Sequence, residues 1–82
     1  MNEIKTIVSI VDYGQIRITL KEIMDKKNVT RNFLANATNT RFEVINKWYN
    51  GKVEKMDLDV LARICYVLEC VPSDIIKYDG KK

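Results

Sequence analysis

The stretch from Leu34 to Gly51, LANATNTRFEVINKWYNG, contains two sets of residues with different spacings. Its apolar members Val44, Ile45 and Trp48 fall at i, i+1 and i+4, which is the spacing of one face of a helix. A second set lies between them and is not needed for that face: Arg41, Phe42, Glu43, Asn46 and Lys47. The apolar set predicts how the chain folds, and the second set predicts what the folded chain contacts.

A helix, a tight turn and a second helix are predicted around this stretch. Thr30 is the predicted N-cap of a helix with the sequence RNFLANAT. The inward residues of this helix are predicted to be Leu34, Ala35 and Thr38. Ala35 is small enough to let the following helix cross closely, and Asn39 gives the turn a residue that tolerates a left-handed backbone.

The following helix is predicted to begin at Thr40 or Arg41 and to end at Gly51. Thr40 and Glu43 have the spacing of a capping box, in which two side chains satisfy backbone N–H groups at a helix start. The side chains predicted to point away from its apolar face are Phe42, Glu43, Asn46, Lys47 and Asn50.

Further elements are predicted on both sides of these two helices. Residues 4–11, IKTIVSIV, are rich in β-branched side chains and indicate a short strand, or a hairpin through DYGQ to IRIT. Another helix is predicted from Thr19 to Asn28, where a left-handed residue would end it. Asp57 is predicted to cap an amphipathic helix, whose inward face would be Leu58, Leu61, Ala62, Ile64, Cys65 and Leu68.

The last segment has two interpretations. Pro72 at a first helical position and Asp74 in the first turn predict a short fifth helix, PSDIIKY. The tail of this segment could instead be extended and pair with the IRI sequence near the N-terminus.

Composition restricts the function classes. A chain of 82 residues holds one small domain. It contains no His, no Gly-rich phosphate loop and no convincing acid pair, so we expect no enzyme, no cofactor and no small-molecule substrate. Cys65 and Cys70 support neither a zinc site nor a disulfide framework and are expected to be reduced, mostly buried thiols. No apolar run approaches the roughly 18 residues of a membrane span, and signal-peptide features are missing, so we expect a cytoplasmic protein.

Positive charge is concentrated in the middle of the chain. Between Lys26 and Lys55 there are seven basic and two acidic residues, a net charge of +5, whereas the whole chain carries +3 and the remainder therefore −2. A positive middle third is typical of a surface that faces phosphates. A solvated face with chance clustering is the alternative that charge alone leaves open.

Five segments of this chain resemble the Cro-like phage-repressor helix-turn-helix (XRE) family, in its compact branch of small regulators: IRITLKEIM, TRNFLANATN, INKWYNGK, LDVLARICYVLEC and PSDIIKY. The resemblance implies an all-α, five-helix repressor-like helix-turn-helix domain with a short N-terminal β-strand or hairpin. It would divide the chain into an N-terminal extension at 1–15, the domain at 16–78 and a tail at 79–82. The family's turn glycines are replaced here by Asn28 and Asn39.

The resemblance implies a sequence-specific transcriptional regulator, more often a repressor, that binds double-stranded DNA. In this family the third helix lies in the major groove and the second spans the phosphate backbone. The positions of this chain that match the family's DNA-binding positions are Arg31, Thr40, Arg41, Phe42, Glu43, Asn46, Lys47, Asn50 and Lys52.

Two alternatives remain open. One domain of this size contacts too little DNA for tight specific binding, so a homodimer on a palindromic operator is expected. The IKTIVSIV segment could pair across that dimer or within the chain with IIKY.

Phe42 and Glu43 are unusual residues for a helix in the major groove. They keep a second function hypothesis open: a protein-interaction module that kept the helix-turn-helix scaffold and has weak or no DNA binding.

Overall fold

The computed structural model of the protein describes residues 12–80. The elements, in chain order, are β1 (Gln15–Ile18), α1 (Leu20–Lys27), α2 (Arg31–Ala37), α3 (Phe42–Tyr49), α4 (Leu58–Leu68), a 3-10 helix (Pro72–Asp74) and β2 (Ile76–Asp79). The segment 4–11, for which a strand or hairpin is predicted, lies outside the described residues. Among the described residues, no helix has the length and hydropathy needed to cross a membrane.

A single hydrophobic core joins the helices. Its buried residues are Leu20, Met24, Leu34, Ala35, Ile45, Trp48, Leu61, Ile64, Leu68 and Ile75. The inward residues predicted for α2 and α3 are buried, apart from Val44, which is half-buried against the core. Each fully buried aliphatic side chain stabilises the fold by about 1.5–3 kcal/mol, so the apolar spacing of α1 to α3 accounts for most of this packing.

The predicted fifth helix is wrong. The described residues contain four α-helices, and the PSDIIKY segment forms only the 3-10 helix Pro72–Asp74 before it becomes extended. Its tail pairs antiparallel with β1, with Ile16 opposite Tyr78 and Ile18 opposite Ile76. This is the alternative predicted from the sequence, in which the tail is extended and pairs with IRI. It is favoured because pairing with β1 satisfies the backbone N–H and C=O groups of the tail, and because Ile75 is completely buried.

An ion pair joins the two strands to each other, and a threonine joins the start of α1 to the residues before β2. Arg17 Nε lies 2.8 Å from Asp79 Oδ2, and this contact holds the pKa of the Asp79 carboxyl below its usual range. The backbone N–H of Thr19 donates to the carbonyl of Ile75, and its hydroxyl donates to the carbonyl of Asp74 at 2.9 Å. Together these contacts hold residues 17–19 next to residues 74–79, so the two ends of the described chain are adjacent.

A residue with a left-handed backbone lies one or two positions after the end of each of the four described α-helices. The residues are Asn28 (φ 60°), Asn39 (φ 53°), Gly51 (φ 68°) and Glu69 (φ 53°). After each one, the next backbone N–H donates to a carbonyl five residues earlier, as in the bond from Lys52 to Lys47 at 2.9 Å. The left-handed conformations predicted at both asparagines are confirmed, whereas Glu69 was not anticipated.

The predicted inward face of α4 is only partly correct. Asp57 caps the helix as predicted, accepting from the backbone N–H groups of Asp59 and Val60. Leu61, Ile64 and Leu68 are buried, but Leu58 is 73 % exposed and Ala62 is also exposed. The first turn of α4 extends past the core, and the outer side of the helix therefore carries apolar residues.

The two cysteines lie at the C-terminal end of α4. Both Cys65 and Cys70 are free and half-buried, which is less burial than expected for Cys65 and Cys70. Burial, together with the neighbouring Cys65, raises the pKa of the Cys70 thiol to about 11. Cys70 is therefore protonated at neutral pH, and its thiol is a poor nucleophile there.

We predict that replacing a left-handed residue with glycine stabilises the protein. Glu69→Gly should raise the free energy of unfolding by about 1 kcal/mol, because a side chain with Cβ is strained in this conformation. Asn39→Gly should give a smaller rise, since asparagine tolerates the conformation better. Thermal and denaturant unfolding would measure both changes.

Ala62→Gly provides the matched control for these two substitutions. It introduces glycine at an exposed position inside α4, where the backbone is helical, and should lower the free energy of unfolding by about 1 kcal/mol. A melting temperature for Glu69→Gly at or below that of the unsubstituted protein would contradict the left-handed assignment.

Candidate nucleic-acid interface

The predicted site residues lie on the first turn of α2, the turn before α3, one side of α3 and the turn after it. Arg31 is the first residue of α2, and Arg41 is the residue before the first turn of α3. The exposed members of the set are Arg31, Arg41, Phe42, Glu43, Lys47, Asn50 and Lys52, while Thr40 and Asn46 are half-buried. The fold therefore brings these residues together on adjacent helices, away from the buried Ile45 and Trp48.

Arg31 is held by three side chains of α3. Its Nη1 donates to Asn46 Oδ1 at 2.7 Å. Its guanidinium carbon lies 4.7 Å from the centre of the Tyr49 ring and 5.9 Å from the centre of the Phe42 ring. Each such cation–π contact contributes about 0.5–1 kcal/mol at an exposed site. We call these four residues, Arg31, Phe42, Asn46 and Tyr49, the arginine cluster.

The arginine cluster determines how Asn46 faces outward. A guanidinium can only donate hydrogen bonds, so the oxygen of the Asn46 amide must face Arg31. The NH2 group of that amide then faces away from Arg31, and Asn46 presents donors to a ligand. This orientation favours contact with an acceptor on a base edge or a phosphate.

Tyr49 links the arginine cluster to α1 and was missed by the sequence analysis. Its hydroxyl donates to Asp25 Oδ1 at 3.4 Å, and Lys21 Nζ lies 5.8 Å from its ring centre. Lys21 also pairs with Asp25 at 3.3 Å on the same helix. The spacing of Tyr49 beside Trp48 gave no signal of this role, because its partners are on α1 and α2.

The predicted capping box at the start of α3 is wrong. The N-cap is Arg41, whose side chain makes no capping hydrogen bond, and Glu43 falls one position too early in the helix for the box. The Thr40 hydroxyl instead donates to the carbonyl of Thr38 at 3.2 Å. Since Glu43 has no capping role in the described structure, its carboxylate is available to a ligand.

Arg63 of α4 anchors the turn between α2 and α3 and was also missed. Its Nη1 donates to the carbonyls of Thr38 and Asn39, both at 3.1 Å. Its Nε lies 2.9 Å from Asp59 Oδ2, and the i, i+4 spacing of that pair was the only signal in the sequence. Arg63 therefore satisfies carbonyls at the end of α2 and holds the turn that positions α3.

Three lysines lie around a recess at the C-terminal end of α3. The recess has a volume of about 400 Å³ and is lined by Lys47, Lys52 and Lys55 over the apolar side chains of Val44 and Trp48. Glu54 and Asp57 also line it, so the surplus of positive charge there is small. The lysines are nevertheless exposed and flexible enough to reach phosphates next to α3.

A family model for the Cro/C1-type helix-turn-helix DNA-binding domain matches residues 19–81, which is more than half of the chain. The protein belongs to the Cro/C1-type helix-turn-helix family. This confirms the resemblance stated from the sequence, and it supports double-stranded DNA as the partner of the domain. No curated protein matches the chain at a significant level.

Two solved structures share the fold of this chain. A proposed DNA-binding protein from Bacteroides fragilis is 22 % identical, with a TM-score of 0.68, and the match covers 77 % of this chain and all of that one. The transcriptional regulator VanUg is 21 % identical, with a TM-score of 0.64, and the match covers 89 % of this chain and 99 % of that one. At these identities the likeness establishes the fold alone.

We predict that Arg63 contributes more to stability than its ion pair does. Arg63→Leu leaves two carbonyls without this donor and should lower the free energy of unfolding by about 1–2 kcal/mol. Asp59→Ala removes only a surface ion pair and should cost about 0.5 kcal/mol or less. Denaturant unfolding of both variants would check this order, and equal losses would contradict the role of Arg63 in the turn.

Proposed function

We propose that the protein is a sequence-specific regulator of transcription that binds double-stranded DNA with α3 in the major groove. The observation that carries this proposal is the arginine cluster, because it aligns the first turn of α2 with the exposed side of α3. The major groove of B-DNA is wide enough to admit one α-helix. The family assignment supports DNA as the ligand, and the exposed side chains of α3 support this helix as the element that contacts it.

Base selection is assigned to the N-terminal half of α3. Phe42 offers apolar contact, which suits a thymine methyl group, and Glu43 offers only acceptors, which suit the N4 amino group of cytosine. Asn46 offers its amide NH2 to an acceptor on a base edge. These are different chemical requirements, so the three residues together define a preferred sequence.

Phosphate contact is assigned to the turn before α3 and to its C-terminal end. The residues are Thr40, Arg41, Lys47, Asn50 and Lys52. Side-chain cations there would release condensed counterions from DNA, which gives affinity without sequence preference. The Lys52 backbone N–H is already bonded to the carbonyl of Lys47, so the two lysines are held at the same end of α3.

Repression is the regulatory effect that we propose. A small domain that occupies a promoter blocks transcription by its presence alone, whereas activation requires an additional productive contact with the transcription machinery. A reporter gene with the selected binding site placed across its promoter would test the sign. Lower reporter output on expression of the protein is expected, and higher output would contradict repression.

A homodimer is the proposed DNA-bound state. One module of this size buries about 600–1,000 Å² of its surface against DNA, which is too little for tight specific binding. The outer side of α4 carries exposed Leu58, Ala62 and Tyr66 at i, i+4 and i+8, with Tyr66 84 % exposed. In an antiparallel two-fold pair of α4 helices, the Asp59–Arg63 ion pair of one copy would lie beside the same pair of the other copy, with opposite charges adjacent across the interface.

We predict that DNA affinity falls linearly with salt on a logarithmic scale. Lys47→Ala and Lys52→Ala should each reduce the slope by about 0.9 if each lysine contacts one phosphate. Lys77→Ala, on β2 and outside the α2–α3 unit, is the charge-matched control and should leave the slope nearly unchanged. Fluorescence anisotropy with duplex DNA over a series of salt concentrations would measure these slopes.

Absence of binding to duplex pools at about 50 mM salt would contradict the proposed function. That result would favour the protein-interaction module, because the family scaffold would then be present without its nucleic-acid affinity. Equal slopes for all three lysine variants and the unsubstituted protein would contradict the assignment of phosphate contacts to the end of α3.

We predict that the double variant Leu58→Ser, Tyr66→Ser weakens dimer formation on a palindromic site. Removing both side chains deletes the apolar part of the α4 surface without a change of charge. Phe33→Ser is the matched control, since Phe33 is 57 % exposed on α2 and outside this surface. Sedimentation velocity with and without DNA would report stoichiometry, and an unaltered dimer in the double variant would overturn the α4 interface.

A further inference from the structure

The arginine cluster leaves one edge of its guanidinium available. Within residues 12–80, the hydrogen bond of Arg31 to a side chain is made by Nη1, which donates to Asn46. The edge formed by Nε and Nη2 can therefore donate two parallel bonds to a ligand. Such a pair matches two neighbouring acceptors, as found on the O6 and N7 atoms of guanine in the major groove.

Phe42 lies beside the same guanidinium. Its ring centre is 5.9 Å from the guanidinium carbon, and its side chain is 40 % exposed. Successive bases on one strand are separated by about 3.4 Å along the DNA axis. An arginine and an aromatic ring at this separation can contact neighbouring base pairs but not pairs far apart.

We infer that Arg31 recognises a guanine and that Phe42 contacts the 5-methyl group of a thymine in the neighbouring base pair. This inference rests on the proposed function and specifies the DNA sequence that the site selects. The two contacts are made by one preassembled unit, so the thymine and guanine are selected together. Phe42 thereby acts in the choice of sequence and not of a protein partner.

Asn46 and Tyr49 are positioning residues in this unit. Asn46 orients the guanidinium through a 2.7 Å hydrogen bond, and the Tyr49 ring lies 4.7 Å from it. Tyr49 is in turn held by its hydroxyl bond to Asp25 on α1. A flexible arginine loses side-chain entropy when it binds a base, and a guanidinium already held in place loses less of it.

The same guanidinium edge could instead hold a phosphate, and the two contacts have different signatures. A base contact affects binding at one position of the sequence and depends on a planar donor pair. A phosphate contact affects all sequences alike and contributes about one unit to the salt slope.

Modified bases test the inference directly. A preferred site is first selected from random duplexes with the unsubstituted protein, and it should contain a thymine next to a guanine. Replacing that guanine with 7-deazaguanine removes only the N7 acceptor and should weaken binding about tenfold. Replacing the thymine with deoxyuridine removes only the methyl group and should weaken binding about threefold to fourfold.

The source of the methyl effect is checked by substitution on both partners. In Phe42→Ala, deoxyuridine and thymine should bind equally well, because the ring that contacts the methyl group is gone. Replacing the thymine by cytosine should weaken binding of the unsubstituted protein, and 5-methylcytosine should restore part of the loss. The same base changes at flanking positions should have little effect.

Arg31→Lys separates geometry from charge. It keeps the positive charge, so the salt slope should stay the same, but it loses the planar donor pair and should lose the preference for guanine. Tyr49→Leu should weaken this preference, and Tyr49→Phe should weaken it less, because phenylalanine keeps the ring under the guanidinium and loses only the hydroxyl bond to Asp25. Melting temperatures of both variants would exclude loss of folding. Uniform weakening on all sequences by Arg31→Ala, with a slope smaller by about one, would overturn the inference in favour of a phosphate contact.

The inference and the proposed function fail in different ways. Sequence-specific binding that is insensitive to 7-deazaguanine and deoxyuridine at every position would overturn the inference and leave the DNA-binding regulator intact. Absence of any duplex binding would overturn both.

Discussion

The left-handed backbone at Asn39 is the constraint on which the candidate DNA-binding surface depends. It lies in the turn after α2 and redirects the chain, so that α3 starts at Phe42 and packs against α2. Ile45 and Trp48 can then be buried against the same core as α2. Arg63 of α4 adds a second restraint, because it donates to two carbonyls at this turn.

The arginine cluster is a consequence of that turn. Arg31 and Asn46 are separated by 15 residues, and they meet only because α2 and α3 are held at one angle. Tyr49 extends the contact to Asp25, so the orientation of one guanidinium depends on three helices. A small domain can thereby present a charged side chain in a defined direction without burying it.

The lysines and the arginine cluster on this surface suit different parts of DNA. The lysines near the end of α3 are exposed, and within residues 12–80 no hydrogen bond fixes their ammonium groups. This suits the phosphate backbone, because phosphate contact needs charge and little direction. The arginine cluster has a defined orientation, which suits a base edge because donors and acceptors there must match in position. Glu43 reduces the net charge of the surface but adds an acceptor that the basic residues cannot provide.

Local patterns predicted the elements that depend on neighbours in sequence. The inward residues of α2 and α3, the caps at Thr30 and Asp57 and the left-handed asparagines each involve residues within about one helical turn. These predictions were correct, except that Val44 is half-buried. The predicted capping box is wrong by one residue. Glu43 is the second residue of α3 and not the third, and the Thr40 hydroxyl donates to the Thr38 carbonyl. The predicted fifth helix is wrong because the tail of this segment pairs with a strand that is distant in sequence: Tyr78 lies opposite Ile16, 62 residues earlier.

The amino-acid sequence by itself therefore determined the helices around the turn, the family and the set of side chains on the exposed side of α3. Only the tertiary structure decided how those side chains combine: Arg31 with Phe42, Asn46 and Tyr49, and Arg63 with the turn. The physical reason is that spacing within a helix is repeated every turn and is visible in sequence, whereas contacts between helices depend on crossing angles that no local pattern specifies.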